Sequence, residues 1–118
     1  MRDYASEDKA RVDWLTRRMV RKPQEIQASE VQIEVPRLGR FRIFRDPRNK
    51  REWLTYLHPE TPKERLERMP ESLRDKSYMK WDLQGRMEDR STSRASAIRW
   101  IALHWDFVID RAMKEEQE

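Results

Sequence analysis

The most chemically distinctive residues of this chain are the lysines and arginines between positions 37 and 51. Seven of them lie in this stretch against one acid, Asp46, whereas the net charge of the whole chain is only +4. Cations at this density can neutralise the phosphates of a nucleic acid. The same residue types also keep the edges of sheets from pairing with other strands, so both explanations stay open. The seven cations are Arg37, Arg40, Arg42, Arg45, Arg48, Lys50 and Arg51.

Catalytic and metal-binding chemistry has little support in the sequence. There are two histidines, His58 beside a proline and His104 within an apolar stretch, and there is no cysteine. Without cysteine there is no disulfide, no thiolate metal site and no cysteine nucleophile. Two glycines are too few for a glycine-rich phosphate loop, and no pair of acids has the spacing of an acid–base motif. We therefore expect a protein that is not an enzyme and that holds neither a cofactor nor a metal.

The basic stretch belongs to a segment, residues 31–57, whose alternation of polar and apolar residues predicts β-strands. The first strand is expected over 30–35, and a turn containing Gly39 follows it. A second strand over 40–45 places Phe41 and Ile43 on one face and Arg40, Arg42 and Phe44 on the other. A third strand is expected over 52–57. We term residues 31–57 the basic hairpin and predict that its strands form an antiparallel meander with one face packed on helices.

Helices are predicted on both sides of the basic hairpin. The first spans about 6–22, with a serine cap and acids in its first turn. A short helix, capped by Thr61, is expected from 62 to 68 or 69. The polar residues 84–93 are expected to form a loop. The strongest periodicity predicts one long helix over about 94–115, packed on the sheet.

The predicted fold class is α+β, as one domain over residues 1–118 with a three-stranded sheet. The chain is 36% hydrophobic and 41% charged, against typical values of about 45–50% and 25%. Five tryptophans nevertheless indicate a small, aromatic-rich core. The predicted core is Val12, Leu15, Met19, Val31, Ile33, Val35, Phe41, Ile43, Leu54, Ile98, Ile101, Trp105, Val108 and Ile109.

The predicted C-terminal helix is apolar beyond a single stripe. Trp100, Leu103 and Phe107 widen its apolar surface, and such a helix is either buried on several sides or meets a partner. One explanation is that it is the central core element of the domain. The other is that these three residues bind a protein partner, as in a phage-type virion structural protein or a protein that interacts with a host protein.

Residues 31–43, Val-Gln-Ile-Glu-Val-Pro-Arg-Leu-Gly-Arg-Phe-Arg-Ile, preceded by a helix, resemble the centre of the HU/IHF family of histone-like DNA-binding proteins and their small phage-encoded relatives. In that family an apolar residue and a glycine, here Leu38 and Gly39, precede an aromatic, here Phe41, that opens the next strand. The resemblance covers residues 8–57. In the family the second strand leads into a β-arm that grips the minor groove, and the resemblance implies that Arg40, Arg42 and Arg45, with Arg48 near Pro47, are the matching positions here. The arm itself is missing or cut to a few residues in this chain.

The leading functional prediction is non-enzymatic binding of nucleic acid, with double-stranded DNA the first choice, through the basic hairpin. The predicted binding residues are the seven cations together with Phe44, and little base specificity is expected. The alternative is the phage-type protein described above, whose partner is a protein with an acidic surface. An oligomer or larger assembly is left open. The N-terminus lacks the apolar core of a signal peptide, so we expect a cytoplasmic protein, in a host cell or a virion if phage-encoded, without a membrane span.

Overall fold

The computed structural model describes residues 4–21, 30–74, 81 and 84–117. Its architecture is α+β, as predicted, with helices packed on one face of an antiparallel sheet. Among the described residues no helix has both the length and the apolar character needed to cross a membrane. The elements are α1 (Tyr4–Arg18), β1 (Val31–Val35), β2 (Gly39–Arg45), β3 (Trp53–Pro59), α2 (Lys63–Glu67), α3 (Glu71–Arg74), β4 (Arg86–Ser91), α4 (Arg94–His104) and α5 (Asp106–Gln117).

The first two strands follow the predicted pattern closely. β1 pairs with β2 in the register Ile33↔Phe41, which places Val31, Ile33 and Val35 on the helix-covered face together with Phe41 and Ile43. The connecting turn has left-handed backbone at Arg37, with a φ of 66°, and a φ of 152° at Gly39. A Cβ at Gly39 would lie 2.3 Å from the carbonyl oxygen of His58. Glycine is therefore required where β2 passes β3.

Within the described residues the sheet has four strands in the order β1-β2-β3-β4, so the prediction of three strands was wrong. Residues 84–93, predicted as a loop, contain β4, and β3 continues through His58 and Pro59. Most side chains of β4 are polar and none is buried. They show no alternation because β4 is an edge strand that pairs with β3, and charged residues are common on such edges.

The N-terminal helix ends earlier than predicted, at Arg18 rather than near residue 22. Val20 instead forms a bridge with Gln32, and the two residues exchange backbone hydrogen bonds of 2.8 and 2.9 Å. This bridge covers part of the free edge of β1. The predicted cap Thr61 was also wrong, since Pro62 occupies the cap position of α2 without a side-chain cap hydrogen bond.

The long C-terminal helix is divided into α4 and α5 at Trp105, which contradicts the single helix predicted over 94–115. Trp105 has φ −110° and ψ 30°, outside the helical region. Its N–H still donates to Ile101 O at 2.9 Å, and its carbonyl accepts from Ile109 N at 3.0 Å. The chain therefore bends at this residue without losing its hydrogen bonds. The bend lets α4 pack on the sheet and α1, while α5 packs on α1 and α4.

The core lies between the sheet and α1, α4 and α5. Nine predicted core residues are in it: Leu15, Val31, Ile33, Val35, Phe41, Ile43, Ile98, Ile101 and Ile109. Val12, Met19, Trp105 and Val108 are only partly buried beside it. Leu54 is buried but faces away from the helices. The apolar residues of β3 that face the core are Trp53 and Leu57, which pair with Arg45 and Phe41.

Arg11 joins α1 to α5 within this helical layer. Its Nε and Nη2 donate to Asp110 Oδ1 and Oδ2 at 2.7 and 2.8 Å. Hydrogen bonding to Asp110 raises the pKa of Arg11 above its ordinary value, against the opposing effect of burial. A bidentate pair of this kind is among the stronger charge-assisted contacts, and it fixes α5 to α1.

Candidate functional site

The seven predicted cations are not brought together into one surface. Arg37 lies in the β1–β2 turn, at the far end of β2 from the β2–β3 connection. Arg40 and Arg42 lie along β2, on the sheet face that also carries Phe44, Leu54 and Tyr56, which we term the outer face. The remaining four, Arg45, Arg48, Lys50 and Arg51, lie at or within the β2–β3 connection, residues 46–52.

Arg37 is engaged with the helical layer. Its Nη1 lies 3.0 Å from Glu115 Oε1 in α5. Both side chains are exposed, so the pair contributes little to stability. The pair nevertheless compensates the charge of Arg37, and it directs this side chain towards α5.

Arg42 has a structural partner on the outer face. Its Nε donates to Glu30 Oε1 at 2.8 Å, and its Nη2 also contacts that oxygen. The Glu30 side chain is 1% exposed, so the carboxylate depends on Arg42 for compensation of its charge. Arg40 donates from Nη1 to Gln32 Oε1 at 3.3 Å. Glu30 and Gln32 are themselves buried, although the polar side of a half-buried strand is commonly solvated.

The β2–β3 connection is held compact by its own acids. Asp46 Oδ1 accepts from the backbone N–H of Arg48 at 2.9 Å. Arg90 of β4 donates to Asp46 Oδ2 at 3.0 Å and to Glu52 Oε2 at 2.8 Å. The hydrogen bond from Arg48 N–H, followed by those from Arg90, lowers the pKa of Asp46 below its ordinary value. One arginine from the neighbouring strand therefore hydrogen-bonds both acids of the connection, and its charge offsets one of their two negative charges.

Three exposed cations of the connection consequently keep their charge available. Arg48, Lys50 and Arg51 are exposed and form no ion pair within the part of the chain that the structure describes. Asn49 Oδ1 accepts from the backbone N–H of Arg51 at 3.2 Å. The side chains of Asp46 and Asn49 therefore hold the turn through its backbone N–H groups, while the charged ends of its cations face solvent.

Two further arginines flank Trp53 next to this connection. The guanidinium carbons of Arg45 and Arg94 lie 5.3 and 5.2 Å from the centroid of a Trp53 ring, within range of a cation–π contact. Burial, and then repulsion by Arg21 and Arg45, lowers the pKa of Arg94. Like charges are thus held close together at this end of the sheet. We term Arg21, Arg45, Arg48, Lys50, Arg51 and Arg94 the cationic end.

Sequence reasoning missed Arg21, Arg90 and Arg94. Arg94 carried a usable signal, because it opens a helix capped by Ser93, whose Oγ accepts from Ser96 N at 3.0 Å. The helix dipole disfavours a cation in the first turn. An arginine at that position therefore indicates a local requirement for positive charge. Arg21 and Arg90 carried no comparable signal, since their positions depend on the β1 edge and on β4.

The three predicted partner-binding residues differ in exposure. Trp100 is partly buried against the core and stacks on His104, with ring centroids 4.6 Å apart and planes 12° apart. Leu103 is 56% exposed and Phe107 is 87% exposed. Phe107 borders a cavity of about 400 Å³ between α5 and the β1–β2 turn, lined also by Pro36, Arg37, Val108, Arg111, Ala112 and Glu115.

A second cavity, of about 810 Å³, lies beside the edge of β1 between α1 and α5. Trp14, Arg18 and Glu116 line it and contact one another. Arg18 lies 4.7 Å above the Trp14 ring and 3.7 Å from Glu116 Oε1. These charges are compensated within the wall. Among the described residues, no three His, Cys, Asp or Glu side chains are grouped so as to hold a metal ion.

The fold and the site together define a small α+β protein with a cationic end on a four-stranded sheet. Comparison with protein-family models, curated proteins and solved structures finds no match for the chain. The resemblance of residues 8–57 to the HU/IHF family stays a prediction that rests on the short motif at 31–43.

Proposed function

We propose that the protein binds nucleic acid, without catalysing a reaction, through the cationic end. The observation that carries this proposal is the state of Arg48, Lys50 and Arg51. They are exposed on an ordered turn and have no ion pair within the described residues. They are not needed to hold the connection together, because Arg90 already hydrogen-bonds both Asp46 and Glu52.

The arrangement favours phosphate contacts over base recognition. The three turn cations and the two arginines on Trp53 present charge over one end of the sheet, where an anionic backbone would be attracted to all of them. Phosphate contacts position a nucleic acid without reading its sequence. Arg37 and Arg42 contribute less to binding in this proposal, because Glu115 and Glu30 compensate them.

The test is a triple variant, Arg48→Gln, Lys50→Gln and Arg51→Gln. Fluorescence anisotropy of labelled strands and duplexes would be measured over a series of salt concentrations. If each cation contacts one phosphate, the slope of log affinity against log salt falls by about 3 for a duplex and about 2 for a single strand. Thermal unfolding followed by circular dichroism would show that the fold persists.

The matched control removes three exposed cations elsewhere, with Arg65→Gln, Arg68→Gln and Lys114→Gln. These positions lie on or beside α2 and on α5 and form no ion pair in the described residues. The control changes the net charge equally and should leave most of the salt slope intact. An equal loss in both variants, or no binding by the wild-type protein at low salt, would contradict the proposal.

A second candidate function is protein binding at the α4–α5 junction. The observation that favours it is the 87% exposure of Phe107 beside the cavity next to the β1–β2 turn. Buried aromatics carry much of the energy of protein interfaces. Phe107→Ser should leave unfolding unchanged, and the immobilised variant should fail to capture a partner that the immobilised wild-type protein captures. Identical capture by both forms would count against this candidate.

A further inference from the structure

The outer face of the sheet carries an ordered pattern of cations and apolar side chains beside the cationic end. Paired residues on neighbouring strands share a face, so the register defines two rows across β2, β3 and β4. One row is Arg42, Tyr56 and Met87, and the next is Phe44, Leu54 and Arg90. We term these six side chains the platform. The second row is the nearer to the cationic end.

The rings of the platform contact each other and the neighbouring cation. The Phe44 and Tyr56 ring centroids are 5.4 Å apart with planes tilted by 42°. The Arg42 guanidinium lies 5.0 Å from the Phe44 centroid. Arg42 is itself fixed by the buried Glu30. The position of the Phe44 ring is therefore supported through an ion pair whose carboxylate is buried.

Part of the platform is accessible. Phe44 and Tyr56 are half-buried, so neither residue is sealed off from solvent. Met87 is 47% exposed and the Arg90 side chain 50% exposed. Leu54 is buried and fills the middle of its row, between Phe44 and Arg90. Flat, partly exposed apolar surface bordered by cations is the type of surface on which nucleobases stack.

The same end of the sheet is poorly shaped for entering a duplex. The major groove is about 8.5 Å deep and admits a helix or a two-stranded ribbon. Here the β2–β3 connection is closed on itself by Asp46 N to Glu52 O at 2.9 Å, and Arg90 fastens it to β4. Helix α4 begins nearby, but it packs against the sheet. Among the described residues, the cationic end projects no free element into a groove.

We propose that the ligand of the cationic end is single-stranded nucleic acid, whose bases stack on Phe44 and Tyr56 while its phosphates contact the turn cations. This inference rests on the proposed function and replaces double-stranded DNA as the preferred partner. Base–aromatic stacking tolerates any base, which agrees with low sequence specificity. In this inference Phe44 has its own role, because its ring stacks on a base while the cations contact phosphates.

The experiment compares three labelled probes of equal phosphate number, an oligothymidylate of about 20 nucleotides, its abasic counterpart, and a duplex. The wild-type protein should bind oligothymidylate at least tenfold more tightly than the abasic strand. Phe44→Leu should reduce oligothymidylate affinity about tenfold, and adding Tyr56→Leu should reduce it further. Both changes keep apolar volume but remove a ring, and affinity for the abasic strand should be unchanged. Tyr56→Phe keeps the ring and should retain binding.

Each outcome separates this inference from the proposed function. Equal affinity for the abasic and base-bearing strands, with a normal salt slope, overturns stacking and leaves phosphate binding intact. Tighter binding of the duplex than of oligothymidylate also overturns the inference alone. Binding of none of the three probes overturns both. If Phe44→Leu unfolds the protein, Met87→Glu at the exposed border tests the same surface. It should weaken oligothymidylate binding more than Arg65→Glu does, although Arg65→Glu lowers the net charge by two and Met87→Glu by one.

Discussion

The replacement of Arg42 by alanine should destabilise the protein strongly, although Arg42 belongs to the most cationic stretch of the sequence. The variant leaves the Glu30 carboxylate, whose side chain is 1% exposed, without its cation. Within the described residues, the Glu30 carboxylate would then keep a 3.3 Å hydrogen bond that its Oε2 accepts from Gln32 Nε2. Removing one member of a buried ion pair costs about 3–5 kcal/mol. Domains of this size are stable by about 5–15 kcal/mol, so the loss is a large fraction of the total.

Urea unfolding followed by tryptophan fluorescence, together with thermal unfolding, measures this loss. A cost of about 3 kcal/mol corresponds to a fall in Tm of roughly 10 °C for a domain of this length. Arg48→Ala, which removes an exposed cation of the turn, should change stability by less than about 0.5 kcal/mol. The double variant Arg42→Leu with Glu30→Leu should recover most of the loss, because an apolar pair can replace a buried ion pair. A cost below about 1 kcal/mol for Arg42→Ala would refute this reasoning.

Two further changes test the backbone and the turn. Gly39→Ala should destabilise the protein by about 2–3 kcal/mol, because its Cβ would lie 2.3 Å from His58 O; unchanged urea unfolding would contradict the required close approach. Asp46→Asn should lower stability most at neutral pH, since the hydrogen bonds from Arg48 N–H and then Arg90 lower the pKa of the Asp46 carboxyl from 3.8. The stability that this carboxylate contributes is present above that value and disappears as the pH falls through the lower pKa of the folded state. Urea unfolding of both forms from neutral pH to about pH 3 should therefore give converging curves, and a difference independent of pH would show that the carboxylate is not the cause.

The parts of the fold that were predictable are those that depend on local sequence. Alternation in Val31 to Val35 and in Phe41 to Ile43 defined the buried face of the first hairpin, and the structure has that register. Gly39 indicated the turn because few other residues tolerate its backbone geometry. The general α+β architecture followed from these strands and from the periodicity of the flanking helices.

The parts that were not predictable depend on contacts between distant residues. β4 has one apolar residue, Met87, and becomes a strand only because the exposed edge of β3 pairs with it. The bend at Trp105 is similar, since the local pattern favours an uninterrupted helix. With the bend, Ile101 of α4 and Ile109 of α5 both pack in the same core. Leu54 was assigned to the wrong face because both faces of β3 carry buried apolar residues.

The candidate site was only partly predictable, because charge density in a sequence does not reveal which charges are compensated. Glu30 lies 12 residues from Arg42, and Asp46 lies 44 residues from Arg90. Neither pairing has a local signature. Phe44 was selected from its position between arginines, whereas Tyr56, which the register places beside it, was not.

Arg90 shows how a residue outside the basic stretch determines the character of that stretch. Asp46 and Glu52 flank Arg48, Lys50 and Arg51 in sequence and would be their nearest acidic partners if the turn stood alone. Arg90 reaches both carboxylates from β4, and the described structure then shows no ion pair for the three turn cations. The sequence pattern did not predict β4, yet β4 supplies the arginine that pairs with both acids. The three turn cations therefore stay available for an anionic ligand.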